Sequence, residues 1–354
     1  MTYPEAIVVG LVQGVTELFP VSSLGHNVLI PALIGGSWAQ DLSVSAPESP
    51  YLAFIVGLHV ATALALILYF WRDWVRLVKG FVSSLRERRI VTADQRLAWM
   101  IILATIPVGI AGLLLEHAFR VVFSKPVPTA LFLALNGVIL LGGERMLRRR
   151  RPAAAAAPAA QALVTQASAT QPLAAPAHRP ENGPENVTAP PRPDGERPAP
   201  PGPPEAADGP AREAEVALAV AADGRLSTMG YRQAVLIGAA QIAALLPGIS
   251  RDGIVSVTGM FRGLSREDAV RFSFLLSAPV ILAAGVLKIP DLTGPLGDGI
   301  RGQVIVGSLL SFVGAYLSVR FLTRYFAEQR SLAPFGIYCL IAGLGSLIFY
   351  LVAR

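Results

Sequence analysis

Residues 13–26 read QGVTELFPVSSLGH and gather hydrogen-bonding side chains around one proline, in a chain that is 53% hydrophobic. Gln13 and Glu17 are four residues apart, so on a helix they share one face. A carboxylate within a membrane helix is costly and usually functional, and Gln and Glu oxygens suit Mg²⁺ or Ca²⁺, with phosphate oxygens completing the coordination. The spacing therefore predicts a divalent-cation site at Gln13 and Glu17. The alternative is a tilted helix whose Glu17 reaches the surface.

A helix break follows this pair. Pro20 ends the helix, and Ser22 and Ser23 stand at the break. Hydroxyls and free backbone amides at a helix start bind anions well, although simple capping by serine also explains them. His26 lies three residues after Ser23, close enough to act on it or on a bound phosphate. Beside two serines and a glutamate, we favour a catalytic role over a histidine that only satisfies hydrogen bonds.

A second polar break, PGISRDG, covers residues 247–253. A guanidinium matches phosphate oxygens in a bidentate fork, so Arg251 is a candidate phosphate clamp. A snorkelling arginine is the alternative, and the break at Pro247 and Gly248 argues against it. Asp252 either pairs with Arg251 or holds a cation, and the sequence leaves both open. Together the two breaks suit phosphoryl transfer, with a metal and an arginine holding charge and a histidine moving protons.

The composition places these breaks in a membrane. The chain has 354 residues, of which 15% are charged, and a mean hydropathy of +0.53. That balance indicates a polytopic membrane protein. The net charge of +6 comes from basic residues at the ends of apolar runs, which argues against a nucleic-acid partner. With Cys339 as its one cysteine, the chain has no internal disulfide and no Cys-rich metal site. The N-terminus has no basic region before its first apolar run, so we expect mature structure there and not a cleaved signal peptide.

Spanning helices need about 20 apolar residues each. Two apolar regions, 4–36 and 230–264, are interrupted by proline, glycine and polar residues, and we predict that both are re-entrant helical hairpins. The fold class expected is an all-α polytopic membrane protein with about six spanning helices and these two hairpins. The six runs are about 51–71, 97–115, 127–143, 267–287, 302–320 and 333–353.

Between the two apolar halves lies an Ala- and Pro-rich segment, residues 152–225, which cannot bury enough apolar surface to fold. We predict a first membrane repeat at 1–151, a disordered linker at 152–225 and a second, inverted repeat at 226–354. Lys and Arg follow the first, third and fifth runs, which makes that side cytoplasmic and puts the linker there. The first hairpin then enters from outside and the second from inside. Arg262, Arg266 and Arg271 are expected to set orientation at the cytoplasmic edge.

Two short matches support a duplication. Leu18–Ser23 aligns with Leu245–Ser250, and Pro107–Ile110 aligns with Pro334–Ile337, both at an offset of 227 residues. Three spans separate the hairpins, so the second copy is predicted to be upside down relative to the first. Inverted repeats with broken helices place their polar site near the midplane, where the copies meet.

At these residues the chain resembles the bacterial undecaprenyl-diphosphate phosphatase family, also called the bacitracin-resistance proteins. The first family signature is Glu or Gln, three residues, Glu, and then Pro-Val-Ser-Ser-x-Gly-His; here it runs from Gln13 through Glu17 to Pro20–His26. The second is Pro-Gly-x-Ser-Arg-Ser-Gly, here Pro247–Gly253. The resemblance extends through both apolar halves and omits the linker.

The resemblance implies hydrolysis of the C55 isoprenoid diphosphate to its monophosphate and phosphate, which recycles the carrier lipid of cell-wall synthesis. It also implies a divalent cation (Mg²⁺ or Ca²⁺), an interdigitated inverted-repeat fold in the bacterial plasma membrane, and a site open to the outer face. Bacitracin would compete for the same lipid, and a homodimer is left open. By resemblance, the metal and phosphate ligands would be Gln13 and Glu17, the nucleophile or phosphate ligand Ser23, the proton-transfer group His26, the phosphate clamp Arg251, and further substrate-binding residues Ser22, Gly248, Ser250 and Asp252.

Four departures from the family pattern bear on activity. Gln13 stands where many members have Glu, Leu24 replaces a small hydroxyl residue, Asp252 replaces serine and Val255 stands where threonine is common. A carboxylate at Asp252 would repel phosphate unless a cation or Arg251 neutralises it. Two alternatives to the phosphatase remain: a transporter or flippase of a prenyl-phosphate lipid, and a homologue whose site has decayed.

Overall fold

A computed structural model describes residues 1–42, 50–123, 125–168, 209–294 and 297–352. This part of the chain is helical and contains no strand. The helices are α1 (Tyr3–Thr16), α2 (Ser23–Ile34), α3 (Gly36–Asp41), α4 (Pro50–Tyr69), α5 (Trp71–Glu87), α6 (Ala93–Phe123), α7 (Pro126–Ser168), α8 (Gly209–Ser227), α9 (Tyr231–Ala239), α10 (Arg251–Phe261), α11 (Arg266–Thr293), α12 (Arg301–Ala327) and α13 (Ala333–Val352), with a 3-10 helix at Ala240–Leu245. The prediction of an all-α membrane fold is confirmed.

Five helices are long and apolar enough to cross a membrane, counted over the described residues: Ala93–Leu115, Pro126–Arg149, Arg266–Leu287, Arg301–Ala327 and Ala333–Val352. The predicted run at 51–71 becomes a sixth span only together with α5, which follows α4 at an angle of 85°. The stretch of Lys and Arg residues that follows this run is the helix α5. The reason is amphipathicity: its apolar side chains recur every three or four residues and are exposed, at Trp71, Val75, Val78, Val82 and Leu85.

Both predicted hairpins fold as two short helices joined at a break. In the first, α1 and α2 flank residues 17–22; in the second, α9 and the 3-10 helix precede a break at 246–250 and then α10. Each break contains a proline, Pro20 or Pro247, which cannot continue a helical ladder.

The first helix of each hairpin packs against a span from the opposite half of the chain. Helix α1 lies on α12, where a Cβ on Gly10 would come within 2.6 Å of the Gly307 carbonyl oxygen. Helix α9 lies on α6, where a Cβ on Gly238 would come within 2.1 Å of the Ala104 carbonyl oxygen. Such backbone approach through glycine is typical of membrane helices. This exchange of partners is the packing expected of interdigitated repeats.

The same packing corrects one sequence match. Helices α6 and α12 contain the second predicted apolar run of their half, and each packs against the first helix of the other half's hairpin. The match of Pro107 with Pro334 joins α6 to α13, so it does not connect corresponding elements. The match of the two breaks, Leu18–Ser23 with Leu245–Ser250, does connect them.

The contacts divide the chain into two compact units, residues 1–149 with 219–354, and residues 150–218. The second unit consists of the end of α7 and the start of α8, and residues 169–208 of the predicted linker lie outside the described residues. Ala222 and Asp223, which we had assigned to the linker, are buried in the first unit. Folded structure therefore resumes before the predicted boundary at 225.

Two of the arginines expected to set orientation form ion pairs within the fold. Arg266 pairs with Glu144 of α7, and both side chains are 4% exposed. The Arg271 guanidinium donates to Asp223 of α8 at 2.9 Å and lies 3.1 Å from Asp73 of α5. These contacts join helices from both halves, so Arg266 and Arg271 act within the fold as well as at its edge.

Candidate functional site

Glu17 lies at the end of α1 and is the centre of a buried polar cluster. One of its carboxylate oxygens, Oε1, accepts a hydrogen bond from Arg251 at the start of α10. The other, Oε2, accepts one from the Ser23 hydroxyl and one from the Gln13 amide at 2.9 Å. The structure therefore brings together four of the predicted site residues, from both hairpins, on one carboxylate.

The first break contains an unusual backbone conformation at Ser22. Ser22 has φ +69°, which non-glycine residues rarely adopt and which costs about 1–3 kcal/mol. Its hydroxyl accepts hydrogen bonds from the Gly25 amide at 3.3 Å and from the Gly248 amide at 3.2 Å. The second of these bonds crosses from one hairpin to the other. Ser22 thus caps α2 and fixes the two breaks against each other.

The second break needs glycine at position 248. Gly248 has φ +111°, and a Cβ there would lie 2.6 Å from the Leu133 amide nitrogen and the Thr129 carbonyl oxygen of α7. The chain then turns into α10, whose N-terminus is capped by the Ser250 hydroxyl accepting from the Gly253 amide at 3.1 Å. Gly248 and Ser250 therefore shape the break that presents Arg251. Their predicted contact with substrate stays a prediction.

Asn136 of α7 connects both breaks, and we did not identify it from the sequence. Its amide donates to the Pro20 carbonyl oxygen at 3.0 Å, and its oxygen accepts from the Ser250 amide at 3.0 Å. The side chain is fully buried. A lone carboxamide in an apolar span was a usable signal, because polar residues inside membranes generally have a structural or functional partner.

His26 does not face the Glu17 cluster directly. Its Nδ1 donates to the Ser22 carbonyl oxygen and the Tyr338 hydroxyl donates to Nε2, both at 2.7 Å, and the two rings stack. Within the described part of the chain, Ser23 and Glu17 are not among its hydrogen-bond partners. The proton-transfer role of His26 therefore stays a prediction.

A second histidine, His59 of α4, lies beside Glu17 and was missed from the sequence. Its Nδ1 donates to the Ile55 carbonyl oxygen at 2.8 Å, which leaves Nε2 facing the carboxylate at 3.5 Å. A protonated His59 would balance part of the charge on Glu17. The signal was available, since His59 is the one histidine in the apolar run at 51–71, which contains no Asp, Glu, Lys or Arg.

The Asp252 side chain is hydrogen-bonded to α11. Its Oδ1 accepts hydrogen bonds from Ser273 at 2.5 Å and Ser277 at 2.7 Å, both on α11. Arg251, the first of its two predicted partners, is not among these hydrogen-bond partners, and the alternative that Asp252 holds a cation stays a prediction. Serine hydroxyls thus hold the carboxylate that we expected to disturb phosphate binding.

The cluster fits a divalent cation only in part. Glu17 is its one carboxylate, and no group of three or more His, Cys, Asp or Glu side chains suited to a metal occurs in the described residues. Mg²⁺, however, is often bound by one or two carboxylates together with substrate phosphates. Gln13 presents its amide, and not its oxygen, to Glu17. Glu17 and Ser23 are therefore the residues placed to hold a cation, and phosphate oxygens would have to complete its shell.

Comparison with known proteins identifies relatives over nearly the whole chain. The family model described as "Bacitracin resistance protein BacA" matches residues 6–174 and 213–345. An undecaprenyl-diphosphatase of Mycolicibacterium paratuberculosis is 56% identical over 99% of this chain and 97% of its own length. Undecaprenyl-diphosphatase 2 of Frankia alni is 53% identical over 97% and 96%, and that of Burkholderia orbicola 36% identical over 98% and 96%.

Proposed function

Because the chain belongs to the bacitracin resistance protein BacA family, we propose that it is an integral-membrane phosphatase acting on undecaprenyl diphosphate. The products are undecaprenyl phosphate and inorganic phosphate, which returns the carrier lipid to cell-wall synthesis. The observation that carries the proposal concerns the Glu17 carboxylate, which accepts hydrogen bonds from Ser23 of one hairpin and Arg251 of the other. A base, a hydroxyl and a guanidinium in contact are the groups that phosphoryl transfer requires.

The geometry supports the following division of roles. The Arg251 guanidinium leaves Glu17 for the terminal phosphate, where its fork holds the charge that develops on the oxygens. Glu17, freed from that ion pair, takes a proton from the attacking oxygen, which is either the Ser23 hydroxyl or a water in its place. The attacking oxygen bonds to the terminal phosphorus as the bond to the bridging oxygen breaks, and the lipid monophosphate leaves. Attack by water gives inorganic phosphate directly, whereas attack by Ser23 gives a phosphoserine that a water must then hydrolyse. A divalent cation bound by Glu17 and phosphate oxygens would supply further charge neutralisation.

Further parts of the proposal follow from the family resemblance. We place the opening of the site toward the outer face of the plasma membrane, as that resemblance implies. The substrate is an amphipathic lipid. Bacitracin is expected to slow phosphate release by competing for the same lipid.

The direct test supplies the purified full-length chain in detergent with C55 diphosphate and Mg²⁺, Ca²⁺ or EDTA, and measures released phosphate. We expect metal-dependent release in the wild type and none from Glu17→Ala, with both proteins melting at similar temperatures. Near wild-type turnover in Glu17→Ala would remove Glu17 from the mechanism. No release from folded wild-type protein would refute the phosphatase and direct attention to lipid transport.

The identity of the attacking oxygen has its own test. A serine nucleophile would leave a phosphoserine that rapid quenching traps at Ser23. Direct attack by water would instead invert the configuration at phosphorus in a single displacement.

A further inference from the structure

Two buried carboxamides, Gln13 of α1 and Asn27 of α2, form a chain of hydrogen bonds that ends on Glu17. The Asn27 amide donates to the Gln13 oxygen at 2.6 Å, and the Gln13 amide donates to Glu17 Oε2 at 2.9 Å. Gln13 is fully buried and Asn27 is 1% exposed. The mechanism above does not use Asn27.

The order of donors in this chain has an electrostatic reason. A glutamine side chain can present either its amide or its oxygen to a neighbour. If the Gln13 oxygen faced Glu17, two hydrogen-bond acceptors would repel each other, whereas the Gln13 amide donates a hydrogen bond to the carboxylate. The donor orientation leaves the Gln13 oxygen buried on the opposite side, where an unpaired acceptor is costly. Asn27 supplies the donor that this oxygen needs.

The environment of Asn27 indicates that its carboxamide serves to bind Gln13. Its Oδ1 is buried and has no hydrogen-bond partner within the described residues. The bond to Gln13 is therefore the side-chain hydrogen bond that Asn27 makes there. A residue kept only for packing would not need a carboxamide at this point.

We propose that Asn27 is a positioning residue of this site: through Gln13, it holds the Glu17 carboxylate in the orientation that accepts Ser23 and Arg251. This inference rests on the proposed phosphatase function. It also accounts for Gln13, which stands where many family members have Glu. A neutral carboxamide anchored by Asn27 supports Glu17 by donation, without placing a second negative charge beside it.

The test is a double-mutant cycle in the full chain, with Asn27→Leu, Gln13→Met and the double variant. Phosphate release from C55 diphosphate gives kcat and KM, and Thr105→Val serves as a control, because it removes a side-chain hydrogen bond within α6, a helix that contributes no residue to the Glu17 cluster. We expect each single variant to lower kcat roughly 10- to 100-fold, the range for residues that support a ligand, with KM nearly unchanged. The double variant should be no slower than Gln13→Met alone, because Asn27 acts through Gln13.

Two kinetic results would overturn the proposal. Wild-type kcat in Asn27→Leu would show that the bond to Gln13 is dispensable. A loss in the double variant equal to the product of the single losses would show that Asn27 acts independently of Gln13.

A second readout does not depend on activity and separates this inference from the proposed function. Melting temperatures of the same four proteins are measured with and without Mg²⁺ plus inorganic diphosphate. We expect Asn27→Leu and Gln13→Met to reduce the ligand-induced shift equally, and the double variant to match them. Additive reductions would refute the coupling, even if the wild type released no phosphate and the phosphatase proposal had failed.

Discussion

Gly248→Ala tests the join between the two hairpins, that is, the contact of their two breaks through Ser22 and Gly248. The substitution adds one methyl group at a residue with φ +111°, 2.6 Å from two backbone atoms of α7. Backbone strain of this kind costs about 1–3 kcal/mol. Forcing an extra carbon against backbone atoms costs about another 1–3 kcal/mol. The two effects together predict a loss of about 2–6 kcal/mol in the free energy of unfolding.

The assay compares wild type, Gly248→Ala and Gly142→Ala by unfolding in mixed detergent micelles, followed through tryptophan fluorescence. Gly142 lies on α7, the helix that Gly248 contacts, and a Cβ on Gly142 would meet nothing within 4 Å. Alanine at 142 should therefore be neutral or stabilising by up to about 1 kcal/mol. If Gly248→Ala unfolded within about 1 kcal/mol of wild type, the close approach of the break to α7 would not be a constraint on the fold.

Phosphate release from Gly248→Ala gives a second reading of the same join. The Gly248 amide donates to Ser22, so moving it disturbs the break that carries Ser23. We expect lower kcat in the folded fraction of this variant. Unchanged kcat in a destabilised protein would separate the stability of the join from the positioning of the site.

Three further predictions concern charged and titratable groups. Arg251→Lys keeps the charge but loses the bidentate fork, so kcat for phosphate release should fall about 10- to 100-fold, the range for one charged hydrogen bond; a full rate would reduce Arg251 to a point charge. His59 Nε2 lies 3.5 Å from Glu17, so His59→Leu should lower kcat more than His59→Gln, which keeps a polar side chain there, and wild-type rates in both variants would exclude His59 from the site. Glu144→Leu or Arg266→Met alone should destabilise the fold by about 3–5 kcal/mol, as measured by unfolding, and the double variant by less, because only single variants leave a buried charge unpaired; additive losses would contradict this.

The chemistry-bearing residues could be recognised from the sequence because a membrane chain has few reasons to contain them. Glu17, Ser23 and Arg251 stand out against apolar surroundings, and the prolines beside them mark the helix breaks. The apolar run lengths likewise identified five spanning helices, because bilayer thickness sets helix length directly. Those predictions needed only local composition and spacing.

The partners of these residues depended on tertiary structure. Asp252 follows Arg251 directly, yet the rotation of α10 turns it to serines on α11 while Arg251 reaches Glu17. Adjacent residues on a helix point about 100° apart, so sequence neighbours serve different sites. Which helix lies opposite each of them is decided by packing, and no local pattern contains it.

What the sequence determined by itself was therefore the fold class, the two breaks and the set of groups able to act on a phosphate. The tertiary structure decided which of these groups meet. Asn136 of α7 bonds to both breaks from more than a hundred residues away, and the Tyr338 hydroxyl of α13 holds His26. Such contacts depend on how the helices pack in three dimensions, because side-chain hydrogen bonds form over a few ångströms whereas hydrophobic periodicity reports only the direction toward the core.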